Sequence, residues 1–394
     1  MVLGSSRPHL PTLLGSLAAA LALLPASAQA SRLVYINTEP LTVVGGSNDP
    51  TMDSISVNGF MDTEMDGWAG ATPEQIGELL WLLKQTTLAY DVEFVLERPA
   101  AGPYDMVVFG SADDHMSAFG GTCSVQVGIS DCLDAGGESI GFMFWGCLGD
   151  ADQFDPHRVA FHTLGALGYG WGLENVGGTG QVMASYSASG LKYGEQCSVI
   201  SGTAACMHEG CPMGQQNGSA DMLARHGARV DDGPPEITVI SPAPNTTVQE
   251  PFDVVIEVDD AFGGITTSLT LVGLGVDPVP DDTYPFAWNG LDVPNGNVIL
   301  EIAALDADGN EAVTQVPICV GGPCDPPDTD TGSDTTDSGT DTASSADTSN
   351  DEVGADGTGG GGDSKGCSTR TDAGSGGVGL LLLGVLAWVR RRRD

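Results

Sequence analysis

Asp155-Pro-His-Arg-Val-Ala-Phe-His-Thr-Leu-Gly-Ala-Leu-Gly-Tyr-Gly-Trp-Gly-Leu-Glu-Asn175 is the stretch on which the reading of this 394-residue chain turns. Asp155 suits a helix N-cap and Pro156 the first helical position. His162, Gly165 and Tyr169 then follow at spacings of three and four, so a helix puts them on one face. Gly165 costs that helix about 1 kcal/mol relative to alanine. Gly168, Gly170 and Gly172 come soon after, so the helix has to lean on its neighbours rather than on its own propensity.

Working outward, the segments on either side alternate between strand and helix. Leu33-Val-Tyr-Ile36 reads as an opening strand. Thr72-Pro73-Glu74 reads as a cap with proline at the first helical position, and Ile76, Leu79, Leu80 and Leu83 continue at helical spacing towards about Tyr90. Asp91-Val-Glu-Phe-Val-Leu96 alternates as a strand, and Asp105-Met-Val-Val-Phe109 and Ser139-Ile-Gly-Phe-Met-Phe144 read as buried strands. Ser219 to His226 fits a short helix. Residues 31–230 are therefore expected to form one mixed α+β domain.

Pro234-Pro235 marks a boundary. Beyond it come short β runs: Ile237–Ile240, Phe252–Val258, Ser268–Val272, Val298–Ala303 and Ala312–Val316. Asn289-Gly290, Asn295-Gly296 and Asp308-Gly309 punctuate them as turns. Residues 235–320 are expected to be an immunoglobulin-like β-sandwich. Asp306-Ala-Asp308-Gly-Asn310 has the look of a calcium loop, but the rest of an EF-hand is missing, and a hairpin turn is the better reading.

Composition restricts the classes of function. The chain carries 53 acidic and 14 basic residues, a formal net charge of −39. A surface of that sign repels nucleic acid, so no nucleic-acid partner is expected. Residues 325–366 are an Asp/Thr/Ser/Gly linker with almost no apolar content, a composition that cannot bury a core. At the start, Arg7 and His9 precede an apolar run and an Ala-x-Ala site. This has the order of a signal peptide, residues 1–30, cleaved after Ala30. Export makes the nine cysteines readable as disulfides. Cys123, Cys132, Cys147, Cys197, Cys206 and Cys211 lie in the first domain, and the sequence does not choose among their pairings. Cys319 and Cys324 close a short loop.

Gly165 to Asn175 resembles the metzincin zinc motif, His-Glu-x-x-His-x-x-Gly-x-x-His, with its chemistry removed. Gly165 stands at the first histidine, Ala166 at the glutamate, Tyr169 at the second histidine and Asn175 at the third, while Gly172 keeps the motif's glycine. Val34-Tyr-Ile-Asn37 and Gly102–Gly110 are similar to strands of secreted metzincin-like proteins of myxobacteria. Val182-Met-Ala-Ser-Tyr186 resembles their Met-turn at Met183, and Gln216–Ala224 resembles a closing segment of the same group. Residues 367–394 resemble the myxobacterial C-terminal sorting signal: Cys367, a short apolar helix, then Arg390, Arg391, Arg392 and Arg393. That likeness implies a transient membrane anchor, processing near Cys367, and display on the cell surface.

A catalytic zinc needs three protein ligands and a water, with a carboxylate to deprotonate that water. Glycine and alanine offer no lone pair, and asparagine and un-ionised tyrosine are poor ligands beside imidazole. The expectation is a degenerate, non-catalytic peptidase domain with no metal and no cofactor. It would bind extended peptides or surface polymers. Two alternatives stay open. One is an active zinc peptidase with a relocated ligand set drawn from His157, His162 and His208. The other is a structural spacer or adhesin working through the sandwich. Trp145, Trp171 and Tyr169 are read as core residues before they are read as a cleft lining.

Overall fold

The computed structural model describes residues 31–324, apart from 133, 135–137 and 232. The expected signal segment with Ala30, the expected linker, and the expected sorting tail with Cys367 and Arg390 to Arg393 lie outside the described residues. The first part of the chain carries β1 (Arg32–Asn37), β2 (Leu41–Gly45), β3 (Ser54–Ile55), β4 (Thr63–Met65), α1 (Pro73–Thr86), β5 (Val92–Val95) and β6 (Asp105–Gly110). It continues with α2 (Ala112–Ala118), β7 (Gln126–Gly128), β8 (Ile140–Phe144), α3 (Pro156–Gly170), β9 (Ser198–Val199), β10 (Gln215–Gln216) and α4 (Gly218–His226).

Both expected caps form. Asp155 accepts the amide of His157 at 3.0 Å to start α3. Thr72 and Gln75 close a reciprocal capping box on α1, with Pro73 at its first position. Helix α1 stops at Thr86, short of Tyr90. The Thr87 hydroxyl donates to the Leu83 carbonyl, the Tyr90 amide donates back to the Thr87 carbonyl, and the carbonyl of Asp91 already accepts from the Arg32 amide. The chain has to leave the helix there to enter the sheet.

The central sheet runs β5-β1-β6-β8-β7. Its first four strands are parallel, and the short edge strand β7 is antiparallel to β8. Every residue of β6 and β8 is buried, as a strand covered on both faces requires. Val107, Phe109 and Met143 face Leu79, Leu83, Leu164 and Leu167 of α1 and α3. Met106, Val108, Phe142 and Phe144 face a second core made with Val43, Ile55, Met65 and Ala118. That second cover, from β2–β4 and α2, is not evident in the sequence: its strands are two to five residues long and give little periodicity. Asp105 ties the sheet to the helix side, its carboxylate accepting from Arg32 at 2.7 Å and from the Trp171 indole at 2.8 Å.

The remainder is a β-sandwich: β11 (Glu236–Ser241), β12 (Thr247–Val248), β13 (Phe252–Asp259), β14 (Thr266–Val272), β15 (Val279–Asp281), β16 (Ala287–Leu291), β17 (Gly296–Leu305) and β18 (Glu311–Val320). Sheet β11-β13-β16 packs on sheet β12-β18-β17-β14-β15 across Val254, Ile256, Phe286, Trp288, Leu300, Ile302 and Ile318. Asp308-Gly309 is the β17–β18 hairpin turn, with Leu305 paired to Glu311. Asn289-Gly290 is not a turn. It lies inside β16, where the pairing shifts between Phe252 and Val254, and Gly290 supplies a φ of +67°. A bulge needs the same left-handed residue that a turn does, so the dipeptide does not distinguish them. Asn295-Gly296 is where the chain crosses from one sheet to the other.

The cysteines pair Cys123–Cys147, Cys132–Cys206, Cys197–Cys211 and Cys319–Cys324. Among the described residues, no helix is long and apolar enough to cross a membrane.

Candidate functional site

Helix α3 carries the motif positions beneath the edge strand β7. Gly165 is buried, and a Cβ built there would overlap the side-chain amide of Gln126. Gln126 points inward from β7, and its Oε1 lies 2.7 Å from Nδ1 of His162, one turn earlier on the helix. The space into which a residue-165 side chain would project is therefore filled by a glutamine from the sheet edge, held by a histidine. Burial, assisted by the positive charge of Arg158, pushes His162 down to about 4. The ring is neutral at ordinary pH.

Ala166 faces the sheet. Its methyl packs at Gly141 of β8, and its carbonyl sits where a Cβ on Gly128 would go. A longer side chain at 166 would separate helix from sheet. Tyr169 is half-buried and packs on the first core beside Gly128. Gly168 leaves room for the thioether of Met183, and Met183 is buried with a φ of +72°. A turn thus passes directly under α3, pinned by Val176 N–H donating to the Met183 carbonyl at 2.8 Å. Asn175 is exposed beyond the helix end. Trp171 is fully buried, and Trp145 is half-buried, its indole bonded to the Gly67 carbonyl.

The three histidines of the relocated-zinc alternative are not gathered together. His157 and His162 share Tyr186 as a neighbour, and His208 has other partners. His157 Nδ1 is 3.1 Å from the hydroxyl of Tyr186, whose ring also lies under Arg158 and stacks on His162. His208 lies elsewhere, with Nδ1 2.8 Å from Asp221 and Nε2 3.0 Å from Glu174. Burial raises the Glu174 carboxyl, but the amides of Ala205 and Cys206 and the His208 ring outweigh it, and the group ends below the usual carboxylate range. Gln216 accepts the Glu174 amide at 2.7 Å. Glu174, His208 and Asp221 form a hub that fastens the 205–211 loop to α4.

The contacts made by Gln126, Tyr186, Glu174 and Asp221 are not evident in the sequence. Gln216 and Asp221 lie in the closing segment, and its hydrogen bonds give that segment a physical role. For Gln126 the sequence holds no signal, because a lone polar residue in a three-residue strand looks like any surface glutamine.

Among the described residues, Asp231, Asp260 and Asp306 place carboxylate oxygens within 4.8 Å of one another. In the calcium-like loop, Asp306 Oδ1 accepts the amides of Asp308, Gly309 and Asn310, at 2.7 to 2.9 Å, as a turn residue would. Burial and the charges of Asp231 and Asp306 push Asp260 up to about 6, against the pull of the Phe262 amide.

No protein-family model matches this chain, and no curated protein matches it. Solved structures match weakly over small parts. A fibronectin(III)-like module of Clostridium thermocellum CbhA is 16% identical over 22% of this chain and 95% of its own, with a TM-score of 0.18. The endo-beta-1,4-mannanase from Thermotoga petrophila is 12% identical over 27% of this chain and 26% of its own, with a TM-score of 0.19. Murine CRIg is 16% identical over 22% and 97%, with a TM-score of 0.15. Likenesses of this size carry no argument about fold or activity.

Proposed function

We propose that this chain is an exported, surface-displayed protein whose first domain is a metzincin-like pseudopeptidase and whose second is immunoglobulin-like, acting by binding or adhesion rather than hydrolysis. The observation that carries the reading is the Gln126 amide filling the side-chain space at Gly165, with His162 committed to holding it. A zinc ligand at 165 would need that space. Four disulfides support an oxidising compartment. The edge strand β7 pairs with β8 on one side, a geometry that suits addition of an extended peptide as a further strand.

The test is metal content of the purified mature chain by mass spectrometry after mild dialysis, with a casein-cleavage assay alongside. The expected result is no bound zinc and no cleavage. Near-stoichiometric zinc together with cleavage would overturn the proposal and send the search back to His157, His162 and His208.

A further inference from the structure

A cavity of about 390 Å³ lies between α1 and the sandwich. Its walls come from two separately cored parts of the chain, the kind of junction where ligand sites concentrate. Phe262, Ile265 and Phe286 of the sandwich are buried behind it, and Tyr35, Trp81 and Tyr284 stand half-buried around it. Close fitting is built in: Gly77 leaves room for the Tyr284 ring, and Gly263 for the backbone at Lys84.

The charged lining is one-sided. Glu39, Glu257 and Asp259 are exposed at the rim, and Asp260 is half-buried beside them. Against these four carboxylates the lining holds one base, Lys84. Its ammonium is already engaged, donating to the Asp260 carbonyl and lying 3.6 Å from the Asp259 carboxylate. Lys84 shows that this wall accepts an alkylammonium, and its engagement leaves an excess of three negative charges over apolar and aromatic surface. An anion would meet repulsion here, and a neutral apolar ligand would leave the rim unused. An organic cation uses both features: aromatic faces attract it and the carboxylates neutralise it.

We propose that this interdomain cavity binds an ammonium or guanidinium group on an apolar stem, the chemistry of a lysine or arginine side chain. The proposal stands on this cavity alone and does not depend on the reading of α3.

The test is calorimetric titration of the mature chain with N-acetyl-arginine amide and with its neutral isostere N-acetyl-citrulline amide. A short arginine-containing peptide in a third arm distinguishes a protein segment from a free small cation. The arginine probe should bind saturably and the citrulline probe about tenfold more weakly or not at all. The exposed pair Glu39→Gln and Glu257→Gln should weaken the arginine probe about fivefold per charge without changing the melting temperature. Trp81→Phe should abolish any change in tryptophan emission on binding. Equal binding of the two probes, no saturable binding at millimolar concentration, or an unaltered affinity in the folded rim variants would each overturn the proposal.

Discussion

Gly165 and Gln126 are a pair, and neither can be understood by itself. Glycine at the centre of a helix is ordinarily a loss of about 1 kcal/mol that alanine would recover. Here a methyl group at 165 would displace the Gln126 amide from His162. Gly165→Ala should therefore lower stability by about 1 kcal/mol in the native background, since a hydrogen bond between enclosed groups is lost. In a Gln126→Ala background the same change should raise stability by up to about 1 kcal/mol. A double-mutant cycle in urea checks the reversal of sign, and equal effects in both backgrounds would show that the two residues are not coupled. His162 makes a prediction of its own. Its folded-state value of about 4 lies below the ordinary value of 6.5, so the unfolded chain takes up the proton more readily. The stability contributed by the neutral ring is complete above about pH 6.5 and is lost as pH falls towards 4. Thermal melts of wild type and His162→Phe across that range should converge on acidification, because the variant lacks this loss.

At the scale of elements, helix α3 is short of intrinsic propensity and long on contact. Ten of its fifteen residues are buried, and glycines on β7 and β8 let its backbone approach the sheet. The loops after it are anchored in the first core by Leu173, Val182, Met183 and Tyr193, and are tied further by disulfides and by the Glu174–His208–Asp221 hub. Cys132–Cys206 spans 74 residues of sequence and Cys197–Cys211 spans 14. Closing the longer loop removes more freedom from the unfolded chain, about 4.5 against about 3 kcal/mol on the chain-entropy model. Replacing Cys132 and Cys206 together by serine should depress the melting temperature more than replacing Cys197 and Cys211. The reverse order would mean that local support of the 197–211 loop outweighs the entropy of closure.

Across the whole molecule, the first part of the chain and the sandwich meet through polar contacts as well as apolar ones. Arg229 reaches the Asp308 carboxylate at 2.6 Å and the Gly263 carbonyl at 3.3 Å, and Asn310 reaches the Asp231 carbonyl at 3.2 Å. Asp260 sits at this junction among other carboxylates, with its folded-state value raised to about 6 from 3.8. For an acid raised in this way, the folded chain holds the proton more tightly than the unfolded chain. Its favourable contribution is present below about pH 4 and is lost as pH rises to about 6, above which the dependence is flat. Asp260→Asn should remove that dependence and raise the melting temperature at pH 7. No gain at neutral pH would mean that Lys84 and the Phe262 amide already compensate the charge.

Much of this organisation can be read from local signals. Thr72 and Asp155 announce their helices because a cap is a contact between residues two or three apart. The apolar runs at 105–109 and 139–144 announce strands covered on both faces. The change to short alternating runs after Pro235 announces a separate β part. What the sequence leaves open is set by contacts between residues distant along the chain. Which cysteines pair, that Asn289-Gly290 is a bulge rather than a turn, that Gln126 enters the space at Gly165, and that α1 and the sandwich enclose an acid-rimmed cavity all depend on packing geometry. The sequence by itself determined the caps, the strands and the glycine, alanine and tyrosine at the motif positions of α3. Tertiary structure alone decided what occupies the room those residues leave, because a side chain's absence is local and the atom that fills its place can come from anywhere in the fold.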